Sequence, residues 1–334
     1  MRRIITTLLL ALILVGGGWA LVNRDQIHNP QDVFRLVTEQ MNKFRSTAVP
    51  ASLASWTQSS NEDSLRIATF NIQTFGTAKA SNPRVMQYLA EICRQFDVIA
   101  IQEIRGQDQT LLPQFVKQIN DGKLAYEYVI SPPLGRKQYR EQSAFIFNQA
   151  KVQLDNAYTY TVNDPEDVMI REPFVGWFRA ANVRPDQAYT FSLVNLHLDA
   201  QRPAAELPYL TELFRAGRAD GRGEDDVLLV GDFNAGDRGL ASTGRRSGLT
   251  WVISNQATNT RANNQYDNIV FDGRATVEYT GRSGVFDFLK HFNLSLDEAL
   301  EISDHLPVWA DFYCGEGQSP QRTAEKESSA KQLR

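Results

Sequence analysis

The run VLLVGDFNAG (227–236) is apolar until it reaches a carboxylate, Asp232, and an amide, Asn234, two positions further on. Polar groups recur at the tips of other apolar runs: Asn71 after LRIATF, Glu103 after IAIQ, and Arg136, Tyr139, Arg140 and Glu141 just before QSAFIF. His197 closes FSLVNLH, Asp267-Asn268 opens NIVF, and Ser303-Asp304-His305 precedes LPV. These are carboxylates, amides, imidazoles and guanidinium groups, with no thiolate among them. A hard divalent cation takes oxygen ligands, and Mg²⁺ uses one or two carboxylates while keeping waters. In-line attack on phosphorus needs a base for the incoming water and an acid for the leaving oxygen. It also needs cations and neutral donors around the phosphoryl oxygens. Asp232 would orient or bind the nucleophile, and the Asn234 amide would donate to a phosphate oxygen without adding repulsion. The inventory is that of a metal-dependent phosphodiesterase.

Taken singly, each piece has a plainer meaning. Gly-Asp-Phe-Asn is rich in turn residues, a histidine between leucines suits a core, and Ser-Asp-His suits a cap. The case rests on their co-occurrence at one kind of structural position. The elements that must hold them are short apolar strands at 65–71, 98–101, 126–130, 143–147, 189–196, 227–231, 268–271 and 308–312. Helical spacing appears at 82–95, at 108–120 and around 203–219. Interleaved helices and strands followed by a strand-rich half predict a layered α/β sandwich.

Composition sets the outer bounds. The chain has 334 residues, 42% hydrophobic and 22% charged, with a net charge of −4, so no general basic surface is present. Only Cys93 and Cys314 occur, which excludes a disulfide framework and a thiolate metal site. Any imidazole chemistry must use His28, His197, His291 or His305. Arg2-Arg3 followed by an uncharged apolar run over 4–22 reads as an export signal or an uncleaved membrane anchor, with 1–22 as the segment concerned. Residues 23–64 read as a helical spacer, with its helix at 30–47, and a Ser/Pro/Ala-rich linker. The block 65–313 holds the chemistry, and 314–334 reads as a disordered tail.

These residues, in this order, resemble the endonuclease/exonuclease/phosphatase superfamily, and more closely its deoxyribonuclease I-like branch. RIATFNIQTFG (66–76), IQEIRGQ (101–107), PLGRKQYREQSAFIF (133–147), REP (171–173), FDF (286–288) and ALEISDHLPV (299–308) carry the likeness over the whole of 65–313. The resemblance implies a four-layer α/β sandwich, two packed mixed β-sheets flanked by helices, with the active site in a cleft at one end of the sheets. It implies that Glu103 binds Mg²⁺ (or Mn²⁺) with Asn71 and Asp304 nearby. His197 would pair with Glu141 and His305 with Asp267, one dyad the general base and the other the general acid, in an order the sequence leaves open. Asp232 and Asn234 would contact metal, water or phosphate. Arg171 and Arg136 would hold phosphates, and Arg105 and Tyr139 would reach into the minor groove of a DNA substrate, reading groove width more than base identity. The chain departs from the family at Gln73, where an arginine that contacts phosphate is usual, and at Asn268, where an arginine follows the aspartate. Asp167 and Glu172 match one structural Ca²⁺ site of the family, whereas Gln256 stands at the key acidic position of the other.

The expectation is therefore an exported, monomeric endonuclease, secreted, periplasmic or membrane-tethered, with DNA as substrate and no protein partner. A phosphoinositide- or sphingomyelin-type phosphodiesterase of the same superfamily is the alternative, since a membrane anchor fits a lipid substrate. The Arg105/Tyr139/Arg171 set discriminates, because a duplex reader needs it and a lipid enzyme does not. A non-catalytic module would show eroded dyads, and all four dyad residues are present.

Overall fold

A computed structural model of the chain describes residues 10–15, 18–23, 63–106, 108–136, 140–244 and 248–320. The chain divides into two compact units, Met1–Gln58 and Ser59–Arg334. In the first, strands β1 (Leu10–Val15) and β2 (Gly18–Asn23) pair antiparallel within the segment that the sequence reads as an export signal. Among the described residues no helix is long and apolar enough to cross a membrane. The helix expected at 30–47 and the linker up to residue 62 lie outside the described residues.

The second unit runs β3 (Ser64–Phe75), α1 (Thr77–Ala80), α2 (Pro83–Cys93), β4 (Val98–Ile104), α3 (Leu111–Asn120), β5 (Tyr126–Ile130) and β6 (Gln142–Asn148). It continues through β7 (Val152–Thr161), β8 (Phe174–Ala180), β9 (Thr190–His197), α4 (Pro203–Glu206), α5 (Leu210–Arg218), β10 (Val227–Asp232) and α6 (Asp237–Gly244). It closes with β11 (Leu249–Trp251), β12 (Asp267–Asp272), β13 (Tyr279–Val285), α7 (Phe288–His291), α8 (Leu296–Ile302) and β14 (Val308–Tyr313). Two six-stranded sheets form, in the orders β13-β14-β3-β4-β6-β5 and β11-β12-β10-β9-β8-β7. Both are mixed: β3 runs parallel to β4 and β9 to β10, while the other neighbours are antiparallel. This is the expected sandwich of two packed sheets with flanking helices.

The flanking helices are legible in their caps and faces. Asn82 caps α2, its side-chain oxygen accepting from the N–H groups of Arg84 and Val85, with Pro83 pre-set in the first turn. Helix α5 turns Leu210, Leu213 and Phe214 onto Val227 and Leu229 of β10. An aromatic seam fills the core. Phe145 of β6 stacks on Phe174 of β8 with centroids 5.4 Å apart, and Phe178 of β8 stacks on Phe191 of β9 at 5.6 Å.

Register does the positioning. On β9 and β10, His197 lies opposite Asp232, and on β10 and β12, Asp232 lies opposite Asp267. Three polar side chains thus arrive side by side at one end of one sheet. The approach of β9 and β10 is close at Gly231, which has φ +151°, and a Cβ there would stand 1.9 Å from the Leu196 carbonyl oxygen. Gly231→Ala is expected to destabilise by about 3 kcal/mol or more, lowering the thermal midpoint by roughly 6 °C or more. A midpoint within 1–2 °C of wild type in a melting experiment would contradict the packing described.

The C-terminal boundary differs from the expectation. The Cys314 N–H donates to Asp63 O at 2.9 Å, the Tyr189 N–H to Cys314 O at 2.8 Å and the Glu316 N–H to Gln187 O at 2.9 Å. Residues 314–318, read from their polarity as the start of a disordered tail, are instead stitched to both sheets by backbone hydrogen bonds. Cys93 and Cys314 are both buried and are not joined in a disulfide.

Candidate active site

Two irregular strands aim the first pair of side chains. The register of β3 against β4 shifts between Asn71 and Phe75, where Gln73 and Thr74 have φ of 44° and 51°. The register of β4 against β6 shifts between Ile101 and Ile104, and Glu103 has φ 63°. Bulges of this kind re-aim a side chain out of the pleat. Here they bring the Asn71 amide nitrogen between two carboxylates, donating to Glu103 Oε1 at 3.2 Å and to Asp232 Oδ2 at 3.1 Å. The Asn71 oxygen accepts the Gln73 N–H at 2.9 Å. Asn71 thus stands beside Glu103, and its nitrogen holds Glu103 and Asp232 in place. The Thr74 N–H fixes the other Glu103 oxygen at 2.9 Å.

The two dyads assemble as expected. His197 Nδ1 lies 2.7 Å from Glu141 Oε1, and His305 Nδ1 lies 2.9 Å from Asp267 Oδ2. The Thr258 hydroxyl donates to the same Asp267 oxygen at 2.9 Å. With each Nδ1 engaged, both Nε2 atoms turn towards one acceptor. Asp232 Oδ2 is 3.5 Å from His197 Nε2 and 3.7 Å from His305 Nε2. Asp304 stands at the rim, its Oδ1 3.9 Å from His305 Nε2. The Asn234 N–H donates to Asp232 Oδ1 at 2.8 Å, from a left-handed backbone with φ 46°. One Asn234 amide hydrogen goes to Leu198 O at 2.9 Å.

The electrostatics separate the two imidazoles. Burial alone would lower the pKa of His305, but Asp267, Asp232 and Asp304 outweigh it and raise it to about 10. Burial and Asp232 push Asp267 upward to about 6, still well below His305, so the proton shared by this pair sits on the imidazole. His197 is also raised, burial again being outweighed by Glu141 and Asp232, but Arg171 opposes the rise. Burial would raise Glu141, yet His197, Arg171 and Arg105 hold it below the ordinary glutamate value. One dyad is thus surrounded by carboxylates and the other is backed by guanidinium groups.

Those arginines are placed differently from the expectation. Arg171 is buried behind Glu141, its Nε 3.1 Å from Oε2, and it donates to His197 O at 3.1 Å. It positions the dyad rather than offering itself to a phosphate. Arg105 bridges Glu141 Oε2 at 3.2 Å and Glu103 Oε2 at 3.4 Å and remains partly exposed at the cleft. Arg136 pairs with Asp167 at 2.7 Å and with Met169 O at 3.3 Å, so its charge is spent away from the dyads. Glu172 accepts the Gly135 N–H at 3.3 Å. Tyr139 lies outside the described residues.

Sequence reasoning missed the supports. Gln102 Nε2 donates to Asn195 Oδ1 at 2.8 Å and to Thr69 at 2.9 Å, while the Asn195 amide donates to Ile101 O and Ala144 O at 3.1 Å each. This buried amide pair ties the sheets together behind the dyads. The Ser303 hydroxyl donates to Asn71 O at 2.7 Å and accepts the His305 N–H at 3.1 Å. Lys79 Nζ reaches Ile72 O at 2.7 Å, Gln73 O at 2.5 Å and Ile302 O at 2.7 Å. Burial lowers its pKa to about 8 against the pull of Asp304 and Glu103. An isolated lysine in a one-turn helix carries no signal in one sequence. Lys79→Met leaves three carbonyls without their donor, at a cost of about 1–3 kcal/mol. It should lower kcat more than it raises KM, because the bulge at Gln73–Thr74 loses its clamp. A variant with wild-type kcat would remove Lys79 from the site.

The donor set fits a hard cation. Glu103 and Asp304 offer carboxylates beside the buried Asp232, and oxygen-rich, sulfur-free sites suit Mg²⁺ or Mn²⁺. When bound, such an ion neutralises charge developing on a phosphoryl oxygen. The residues themselves supply paired proton donors and acceptors around one carboxylate.

Two packed mixed sheets carrying two imidazole–carboxylate dyads around a central aspartate define a hydrolytic centre built for phosphate esters. The chain belongs to the Endonuclease/Exonuclease/phosphatase family, whose model matches residues 68–305. It is 32% identical to deoxyribonuclease gamma of Rattus norvegicus over 262 residues, covering 73% of this chain and 83% of that protein. It is 34% identical to deoxyribonuclease-1 of Bos taurus over 261 residues, covering 73% and 91%. The fold is shared with an endonuclease/exonuclease/phosphatase family protein of Bacteroides thetaiotaomicron, at a TM-score of 0.53 and 15% identity over 76% of this chain and 96% of that one. It is shared equally with humanized D. rerio TDP2, at a TM-score of 0.53 and 16% identity over 75% and 98%.

Proposed function

We propose that this protein is an exported endonuclease that hydrolyses DNA phosphodiester bonds with weak sequence preference and depends on Mg²⁺ or Mn²⁺. The observation that carries the reading is the convergence of His197 Nε2 and His305 Nε2 on Asp232 Oδ2, each imidazole backed by its own carboxylate. One nitrogen takes the proton of the attacking water and the other protonates the leaving oxygen. The guanidinium-backed His197 is the easier of the two to deprotonate and suits the base, while the carboxylate-ringed His305 suits the acid. DNA as substrate is supported by the relatives named deoxyribonucleases and by Arg105 at the cleft. Export, with a membrane tether as its variant, is supported by Arg2-Arg3 and the apolar run at 4–22.

The test is nicking of supercoiled plasmid with Mg²⁺, with Mn²⁺ and with excess EDTA. Metal-dependent nicking supports the reading. An inert but folded protein that cleaves sphingomyelin or phosphoinositide vesicles instead would overturn it. If Arg105 meets a phosphate, Arg105→Ala should raise KM and reduce the slope of log KM against log salt by roughly one counterion. An unchanged slope would leave Arg105 as a partner of Glu103 and Glu141 only.

A further inference from the structure

At the end of the strands opposite the dyads, four carboxylates converge from both sheets. Glu224 and Asp226 precede β10, Glu278 precedes β13 and Glu316 follows β14. Oxygens of Asp226, Glu278 and Glu316 all lie within 4.8 Å of one another, as do those of Glu224, Asp225 and Asp226. That is the spread of ligands on a sphere of about 2.4 Å radius, the Ca²⁺–oxygen distance.

The hydrogen bonds at this cluster leave oxygens over. Trp177 Nε1 donates to Glu224 Oε2 at 2.8 Å, the Gly317 N–H to Glu278 Oε1 at 2.6 Å and the Asp226 N–H to Glu224 Oε1 at 2.9 Å. Asp226 Oδ1 and Glu278 Oε2 are buried and have no hydrogen-bond partner. The Tyr189 hydroxyl is also buried without a partner; burial first and then all four carboxylates push its ionisation upward, so it stands against the same cluster. Buried carboxylate oxygens without donors are costly unless a cation meets them. Asp226 faces the carboxylates of Glu278, Glu224 and Glu316, and the Thr276 hydroxyl offsets them only in part. Burial first, then this crowding, lifts Asp226 to about 9 and Glu278 to about 7. Glu316 is exposed and gives the cluster a route to solvent.

We propose that Glu224, Asp226, Glu278 and Glu316 form a Ca²⁺ site, with the Tyr189 hydroxyl against it, that fastens the two sheets at the end remote from catalysis. The donors are hard oxygens, numerous and irregularly disposed, which suits Ca²⁺ better than the octahedral demands of Mg²⁺. The site is separate from Asp167 and Glu172 and does not depend on the catalytic reading.

The experiment uses the full chain: wild type, Asp226→Asn, Glu278→Gln, and Glu103→Gln as a control at the other end. Thermal midpoints are measured in EDTA and in CaCl₂, and Tb³⁺ emission is measured on excitation of the aromatic residues, with Tyr189 and Trp177 adjacent as donors. Ca²⁺ at a hundredfold excess over its dissociation constant should raise the wild-type midpoint by roughly 5–10 °C. The shift should persist in Glu103→Gln and fall by at least half in Asp226→Asn and Glu278→Gln. Tb³⁺ emission should be lost in those two variants alone and displaced by Ca²⁺ in the wild type. An equal shift in all four proteins, or none in the wild type, overturns the proposal. So do Asp226→Asn and Glu278→Gln proteins that are more stable in EDTA yet keep the full Ca²⁺ shift, since the cluster would then be a set of proton-sharing acids.

Discussion

His197→Ala and His305→Ala should each slow plasmid nicking by at least ~10²-fold, the contribution of one general acid or base. The argument is geometric. Each Nδ1 is committed to a carboxylate at 2.7 or 2.9 Å, so only Nε2 is free to exchange a proton with substrate or water. Because both groups serve one transition state, the double variant should be no slower than the weaker single variant by a full further factor. The two singles should differ in stability. Removing His197 leaves Glu141 facing Arg171 and Arg105, still compensated. Removing His305 leaves Asp267 buried beside Asp232, with the Thr258 hydroxyl as its remaining donor. His305 also has a folded pKa of about 10, above its ordinary 6.5. Its contribution to stability is therefore complete below pH 6.5 and declines as the pH rises towards 10. The wild-type advantage over His305→Ala in thermal midpoint should shrink across that window. Equal nicking rates in either single variant and wild type would sink the two-dyad mechanism.

Much of this centre was legible because its chemistry sits at strand ends, where an apolar run stops abruptly at a polar side chain. The run 227–231 and the tips at Asn71, Glu103, His197 and Asp267 needed only that contrast. In the second unit strands β7, β8, β11 and β13 escaped: β7 is an edge strand with many exposed positions, β8 has its apolar run broken by Gly176 and Arg179, β11 spans only three residues, and β13 carries two glycines. The resemblance named the dyad partners, and register explains what stands between them: strand pairing puts Asp232 level with both His197 and Asp267. What no single sequence reveals is competition for a charged group. The resemblance makes Arg171 and Arg136 phosphate ligands. In the fold one is buried against Glu141 and the other paired with Asp167. The same blindness hid Lys79 and the Gln102–Asn195 pair, whose partners are mostly backbone carbonyls that every residue possesses. Nothing in the linear run Glu224-Asp225-Asp226 announces that Glu278 and Glu316 will arrive beside it.

Asp232→Asn should be the most damaging single-atom exchange, lowering kcat/KM by roughly 10²–10⁴-fold. Asp232 Oδ2 accepts from Asn71 at 3.1 Å and faces both Nε2 atoms, while Oδ1 accepts the Asn234 N–H. An amide can satisfy one side of this arrangement. With its oxygen on the Asn234 N–H, its own N–H₂ points at the Asn71 amide and at the protonated imidazole, donor against donor. The substitution also removes a charge that raises both histidines. Their pKa values must fall, so the protonated acid is lost at a lower pH. The alkaline limb of the kcat/KM profile should therefore move to lower pH in Asp232→Asn, beyond the drop in its maximum. Asn71→Ala, which removes the neighbouring amide but keeps the Asp232 charge, should reduce the rate without that displacement. If the alkaline limb of Asp232→Asn superimposes on wild type, Asp232 does not set the protonation of the dyads and acts on the substrate alone.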